Sequence, residues 1–279
     1  ASLLGMATKL VESTLAVKYR IKNARGEWVG GPMYTCVNAL GAGKYGKLLG
    51  GTFALFASLA SFGMGNMTQA NSIADALWVA FGTDKAKTGL AVSVLTILVV
   101  LGGIHSIAKV TQYLVPVMGG FYLLGTLLVI LTHINRVPAA VAGIVAAAFC
   151  PAAVSGGILG TVTVSAFSAV RWGVSRGIFS NEAGLGAAGI SAAAADTEDY
   201  VRQGYISMTG VFLDTAVMCT LTGLALAVSG VLAQTETGQG TQAGTILILN
   251  TFRSTFGGRG DGFVSISIVL FAFATIIGW

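Results

Sequence analysis

The sequence predicts an all-α fold, a polytopic transmembrane helical bundle, and two observations support this prediction. Hydrophobic residues make up 54% of the 279 residues, charged residues only 10%, and the mean hydropathy is +0.79. Soluble domains carry roughly 25% charged residues, which form a polar shell. Here the charges are grouped between long apolar stretches. A lipid bilayer is therefore the expected surrounding of the folded chain.

The apolar stretches have about the length of membrane-spanning helices, which need roughly 20 predominantly apolar residues. They cover residues 48–74, 90–108, 110–135, 137–170, 173–195, 203–233 and 262–279. We predict a turn at Lys109 between the second and third stretches. Pro138, Pro151 and several glycines interrupt the fourth, which predicts a short interfacial helix over 139–149 followed by a loop.

The two ends of the chain predict a fragment. The sequence opens at Ala1 without Met or a signal-peptide pattern, and residues 1–17 resemble the end of an earlier helix. It closes at Trp279 inside an apolar stretch. We therefore expect a bundle that is truncated at both ends.

The distribution of Lys and Arg predicts the orientation, because these residues are enriched in cytoplasmic loops. The stretch 18–47 is a basic loop and is predicted to be cytoplasmic. The stretch 231–261 is then extracellular, and its apolar run 245–252 is too short to span, which predicts a short helix at the outer mouth. Because the basic residues behind the net charge of +5 lie together beside a span, we predict no nucleic-acid partner.

The stretch 171–186 carries the strongest functional signal. It should span the membrane, yet it contains two Arg, a Glu, an Asn and four glycines. Charged and helix-breaking residues at membrane depth are tolerated only where the backbone lines a cavity or is buried in protein. We predict a discontinuous helix, whose free N–H groups attract anions and whose free carbonyls attract cations. The alternative is tight helix packing through Gly173 and Gly177, which lie four residues apart.

A second polar group, GMGNMTQANS at residues 63–72, places Asn66 and Gln69 on one helix face. The amide of Gln69 offers a donor and an acceptor to the charged groups of an amino acid. The alternative is that both amides join neighbouring helices.

Three further residues are weaker candidates. Asp214 lies in an apolar run, where a carboxylate either holds a cation or pairs with an Arg. Thr275 and Trp279 share one face of the last helix, but a lone Thr usually bonds its own backbone, and Trp often marks the membrane interface.

Several motifs in one order cover most of the chain. They are GMATKLVESTLAVKYR from residue 5, GGPMY from 30, GNMTQANS from 65, SRGIFSNEAGLG from 175 and GVFLDT from 210. With these motifs the chain resembles the alanine/glycine:cation symporter family, which has the inverted-repeat (LeuT-like) transporter fold with two broken helices. The resemblance implies that residues 1–279 form one partial transporter domain in the plasma membrane, as in the bacterial inner membrane. It implies symport of alanine or glycine by alternating access, with Na⁺ as the coupling ion, no other cofactor and no enzyme activity.

The resemblance also implies site residues. Gln69, Phe179, Asn181 and Trp279 would line the substrate pocket, and Thr275 would supply a hydroxyl oxygen to Na⁺. The chain departs from the family at Ala274, where a second hydroxyl residue is usual. It also departs at 187–192, where the family commonly has Ser-Ala-Pro-Ile-Ala-His. The family's first broken helix would precede Ala1, so we expect residues 1–279 alone not to transport.

Other functions are less well supported by the residues. A symporter of another inverted-repeat family is the nearest alternative. An intramembrane serine hydrolase is suggested only by Ser155 and Ser229, each followed by Gly, and it needs a base within hydrogen-bond reach; the histidines are His105 and His133. The sequence contains no repeated selectivity-filter loop of the kind that would indicate a channel. The sequence does not decide between alanine and glycine as the substrate or between Na⁺ and H⁺ as the coupling ion. It does not indicate the oligomeric state.

Overall fold

The computed structural model describes residues 2–41, 43–149, 171, 173–231 and 244–279, and most of them are helical. The chain begins with helix α1, a hairpin of strands β1 and β2, and helix α2. Their bounds are Ser2–Lys18, Ile21–Lys22, Trp28–Val29 and Pro32–Ala39.

A long helical run and two further helices follow. The run consists of α3, Lys44–Ala60, a π-helical segment named π1, Ser61–Met67, and α4, Thr68–Phe81. After it come α5, Lys85–Val100, and α6, Gly103–Thr132. A 3₁₀ turn, Ile134–Arg136, leads into α7, Val137–Phe149. The helix that the prolines and glycines predicted over 139–149 is therefore present.

The rest of the described chain is also helical. Its elements are α8, 173–181; α9, Ala187–Ala193; α10, Tyr200–Val211; a second π-helical segment, π2, Phe212–Met218; α11, Cys219–Ser229; α12, Gly244–Phe256; and α13, Gly258–Gly278. Helix α12 confirms the short helix predicted near 245–252. Residues 150–170, which the sequence assigns to a loop and the approach to the next span, lie outside the described residues.

Within the described residues, four helices are long and apolar enough to cross a membrane. They are Lys44–Phe81, Ser106–Thr132, Tyr200–Ser229 and Gly260–Gly278. Large apolar side chains on the first of them, such as Leu55, Phe56 and Leu59, are more than half exposed. A water-soluble surface rarely carries such a stripe, whereas hydrocarbon accommodates it. These helices confirm the prediction of an all-α, multi-pass membrane protein.

The turn predicted at Lys109 is wrong. Helix α5 ends at Val100, and α6 begins at Gly103 and continues through Lys109. The reversal uses Gly102 and Gly103, and Gly103 has a left-handed φ of 70° that only glycine adopts readily. A single charge marks a helix end less reliably than a glycine pair, because a long Lys side chain can reach out of the apolar layer.

The basic stretch 18–47 is not an unstructured loop. Ile21 pairs with Val29 and Lys22 with Trp28 in an antiparallel ladder. The side-chain carbonyl of Asn23 accepts hydrogen bonds from the backbone N–H groups of Arg25 and Glu27, which closes the turn. The strands are too short for an alternating pattern to predict them from sequence.

The described chain divides into two compact units. Unit 1 contains Ala1–Ala60 and Phe149–Cys219, and unit 2 contains Ser61–Ala148 and Thr220–Trp279. In unit 1, α1 packs against α10 and α9, with Ala16, Val17 and Ala193 almost fully buried.

In unit 2, α13 is the central helix and packs against α4, α6 and α12. The larger core cluster consists of Val129, Ile130, Ala225, Val228, Leu249, Phe252 and Val264. A smaller cluster joins α4 to α13 through Ile73, Ala272 and Ile276. These clusters hold together the helices that carry Gln69, Thr275 and Trp279.

Candidate functional site

The helix predicted to be discontinuous is interrupted in the structure. Helix α8 ends at Asn181, residues 182–186 are not helical, and α9 begins at Ala187. Glu182, Gly184 and Gly186 have left-handed φ values of 54°, 86° and 81°. This conformation is unfavourable for Glu182, so the surrounding contacts must hold it in place. The prediction of a break in this stretch is confirmed.

Gly186 is required by space as well as by conformation. A Cβ at this position would lie 2.7 Å from Cγ of Pro32 and would also collide with the ring of Phe53. Any other residue would push α9 away from α2 and α3, so the last glycine of the SRGIFSNEAGLG motif has a packing reason within unit 1.

Helix α1 and Arg20, two residues after its end, supply charged groups to the two half-helices and to the segment between them. The ammonium of Lys9 donates a 2.8 Å hydrogen bond to the carbonyl oxygen of Asn181, the last residue of α8. A carboxylate oxygen of Glu12 accepts a 3.3 Å hydrogen bond from the N–H of Gly184. The guanidinium of Arg20 donates to the carbonyl oxygens of Ala193 and Ala195, at 3.0 and 2.7 Å. Each charge meets a backbone group of opposite partial charge.

Asn181 is almost fully buried, with 6% of its surface exposed. Its side-chain oxygen accepts a 3.0 Å hydrogen bond from the N–H of Ala183. Its side-chain nitrogen packs near Gly5 and finds no hydrogen-bond partner among the described residues. A buried amide N–H without a partner is costly, and a bound acceptor would remove that cost.

Phe179 and Asp214 lie in the same unit as Asn181. Phe179 is half-buried in the last turn of α8. Asp214 lies in π2 and accepts hydrogen bonds from the hydroxyls of Ser180, at 2.6 Å, and Thr215, at 3.0 Å. No ion pair joins Asp214 to an Arg among the described residues, so the predicted alternative of an Asp–Arg pair finds no support there. The structure thus ties Asp214 to the end of α8 through Ser180.

Gln69, Thr275 and Trp279 all belong to unit 2. The indole of Trp279 packs on the backbone of Gly65 in π1: a Cβ there would lie 2.5 Å from Cγ of Trp279. Gln69 is half-buried in the first turn of α4. The other amide of the pair, Asn66, donates to the carbonyl of Ser61, five residues earlier, within the π-helical turn. It therefore serves its own helix.

Thr275 makes the local bond that is usual for a helical Thr. Its hydroxyl donates a 3.0 Å hydrogen bond to the carbonyl oxygen of Phe271. The hydroxyl oxygen keeps its acceptor lone pairs, which are the groups that a hard cation binds. Ala274 beside it is buried and offers no ligand atom of its own side chain.

The structure thus divides the predicted site residues between its units: Phe179 and Asn181 in unit 1, and Gln69, Thr275 and Trp279 in unit 2. Their roles in binding stay predictions. The sequence did not single out Lys9 or Gly65, although both lie inside the quoted motifs. For Gly65, the sequence feature that could have indicated a role is its position directly before Asn66.

The serine hydrolase alternative finds no support at Ser229. Its hydroxyl donates to the carbonyl oxygen of Leu226 and lies 3.5 Å from the hydroxyl of Thr251. His133 contacts Thr132 and Val129 instead. Ser155 lies outside the described residues.

Comparison with known proteins gives a consistent result over the whole chain. The family model described as "Sodium:alanine symporter family" matches residues 1–279. The sodium/alanine symporter AgcS of Methanococcus maripaludis is 44% identical over 275 residues, which are 99% of this chain and 58% of that protein.

Two proteins of Bacillus subtilis are each 36% identical. They are the amino-acid carrier protein AlsT, over 99% of this chain and 55% of its own length, and the protein named "Probable sodium/glutamine symporter GlnT", over 99% and 54%. The chain therefore spans little more than half the length of these relatives. The match to the family model, which extends over every residue, nevertheless settles the family: this multi-pass membrane chain belongs to the sodium:alanine symporter family, a family of transporters and not of enzymes.

Proposed function

We propose that this protein is a sodium-coupled symporter of a small neutral amino acid, alanine or glycine, and that it works by alternating access. The observation that carries the proposal is the interruption at residues 182–186, between the helices α8 and α9. Such breaks provide polar backbone groups at membrane depth without lipid exposure. The family membership and the name of AgcS support sodium and alanine as the transported species.

For the substrate, we propose that Asn181, Phe179, Gln69 and Trp279 line the pocket. The unpartnered side-chain N–H of Asn181 suits a carboxylate oxygen. Gln69 can donate to a carboxylate or accept from an ammonium. Phe179 and Trp279 would limit the space for the substrate side chain, which favours alanine and glycine over larger amino acids.

For the cation, we propose Thr275 as a ligand through its hydroxyl oxygen. Na⁺ prefers oxygen atoms, and the Thr275 oxygen has lone pairs left after donating to Phe271. Because Ala274 contributes no hydroxyl, the remaining ligands must be backbone carbonyls, water or other residues.

The fold and orientation belong to the same proposal. We propose the inverted-repeat arrangement, with 18–47 on the cytoplasmic side and 231–261 outside. Single cysteines introduced at Lys22 and at Gln239 in a cysteine-free background test the orientation. An impermeant thiol reagent added outside intact cells should label the second cysteine and not the first; the reverse result would invert the topology.

The test of function uses the full-length protein in proteoliposomes. Uptake of labelled alanine and glycine is measured with an inward Na⁺ gradient, with an inward H⁺ gradient, and with neither. We expect uptake only with the Na⁺ gradient. Equal uptake in all three conditions would refute the coupling. Because GlnT is named for glutamine, unlabelled glutamine is added as a competitor, and strong competition would refute the restriction to small substrates.

A further inference from the structure

We propose that Lys9 is a built-in cation at the break, filling a place at the end of α8 that a sodium ion would otherwise take. The inference rests on the proposed sodium coupling and adds to it, because it says where sodium does not bind. It concerns unit 1 alone, and all the contacts that support it lie within that unit.

The end of α8 is a strongly cation-attracting place. The last carbonyls of a helix lack intrahelical partners and carry the negative end of the helix dipole. The carbonyl oxygen of Asn181 is one of them, and Lys9 Nζ lies 2.8 Å from it. Glu12 on the same helix places a carboxylate oxygen at the break, 3.3 Å from the backbone nitrogen of Gly184.

Asp214 adds to the negative charge at this end of α8. Its carboxylate is bound by Ser180, the residue before Asn181, at 2.6 Å. A carboxylate at the C-terminal end of a helix is unfavourable unless a cation lies close to both the carboxylate and the last carbonyls of the helix. Lys9, which donates to the carbonyl oxygen of Asn181 beside Ser180, places its ammonium at the same helix end. The π-helical segment that carries Asp214 is of the kind that often occurs at functional sites.

Lys9 belongs to a set of three charged residues that lie in α1 or just after it. Lys9 meets the C-terminal end of α8, Glu12 meets an N–H between the half-helices, and Arg20 meets the C-terminal end of α9. Each of these three charges opposes the partial charge of the backbone group it contacts. Helix α1 and the residue Arg20 just after it thereby stabilise both half-helices.

The Lys9 ammonium excludes a sodium ion from the end of α8. Carbonyl and carboxylate oxygens at a helix break are typical ligands for a coupling cation. With the ammonium present, a second cation at the same place would be repelled. Sodium coupling would then use oxygens elsewhere, such as the hydroxyl oxygen of Thr275.

The experiment measures labelled-alanine binding to the purified full-length protein over a range of Na⁺ concentrations. The variants are Lys9→Ala, Lys9→Gln and Lys9→Arg, with Lys18→Ala as the control, since Lys18 is an exposed cation on the same helix. For Lys9→Ala and Lys9→Gln we expect alanine affinity to fall about tenfold or more at low Na⁺. High Na⁺ should restore it, with the Hill coefficient for Na⁺ higher by about one. Lys9→Arg and Lys18→Ala should keep the original coefficient.

Two outcomes overturn the proposal. One is weaker binding with an unchanged Hill coefficient and no recovery at high Na⁺, which indicates a packing role. The other is that Lys9→Ala and Lys9→Gln do not fold at any Na⁺ concentration, since added Na⁺ should replace the missing charge. Binding of radioactive Na⁺ without amino acid separates this proposal from the proposed function. Even if alanine does not bind, Lys9→Ala should bind one more Na⁺ than the unmodified protein.

Discussion

The indole of Trp279 lies directly on the backbone of Gly65, so closely that a Cβ on Gly65 would come within 2.5 Å of Trp279 Cγ and 2.6 Å of Trp279 Cβ. Gly63, two residues earlier in the same π-helical segment, has open space at the corresponding position. The contact therefore depends on one glycine and not on the general glycine content of the segment.

Gly65→Ala should displace Trp279. Overpacking of a tight contact costs about 1–3 kcal/mol of folding stability, and if Trp279 lines the pocket, alanine affinity should fall together with the melting temperature. The measurement is thermal unfolding and labelled-alanine binding of the full-length protein. Gly63→Ala is the matched control and should change neither. Similar behaviour of the two variants would show that the contact with Trp279 has no role.

Asn181→Ala should abolish alanine binding while the protein remains folded. The substitution removes a buried N–H that has no partner among the described residues, which offsets the loss of the hydrogen bond from Ala183. Asn71→Ala is the control, because Asn71 is exposed and bonds Asp75 within α4. Binding is measured beside size-exclusion chromatography. Unchanged alanine affinity in Asn181→Ala would remove Asn181 from the proposed site.

Ser180→Ala should lower stability more than a typical serine substitution. It removes the 2.6 Å hydrogen bond to the carboxylate of Asp214, and hydrogen bonds to charged groups contribute about 1.5–3 kcal/mol. Ser93→Ala removes only an exposed bond to Gly89 within α5 and serves as the comparison. Thermal unfolding of both variants tests this. Equal melting temperatures would mean that Asp214 is held by other groups.

Gly204→Ala should loosen the packing of α1 on α10. A Cβ at Gly204 would lie 2.9 Å from the carbonyl oxygen of Leu10 and would collide with the hydroxyl of Thr14. We expect a loss of about 1–3 kcal/mol. Gly210→Ala in the same helix meets open space and should be neutral or stabilising, because alanine favours a helix over glycine. Unfolding measurements that show no difference would contradict the observed packing.

The sequence predicted the features that depend on local composition. The polytopic helical character follows from apolar run length and from the grouping of charges. The break between Asn181 and Ala187 follows from glycines and a Glu that a continuous lipid-exposed helix does not tolerate. The turn between α5 and α6 was predicted at Lys109 and lies at Gly102 and Gly103. A charged residue between two apolar stretches is a more conspicuous sequence feature than a glycine pair.

By itself, then, the sequence determined a membrane-spanning bundle with an interrupted helix, and its motifs determined the family. Only the tertiary structure decided what holds the interruption in place: Lys9, Glu12 and Arg20 lie more than 170 residues from their backbone partners. It also decided that Gly65, and not Gly63, accepts the ring of Trp279. The physical reason is that such contacts join helices distant in sequence, and residue type and spacing along one helix do not specify which helix lies opposite.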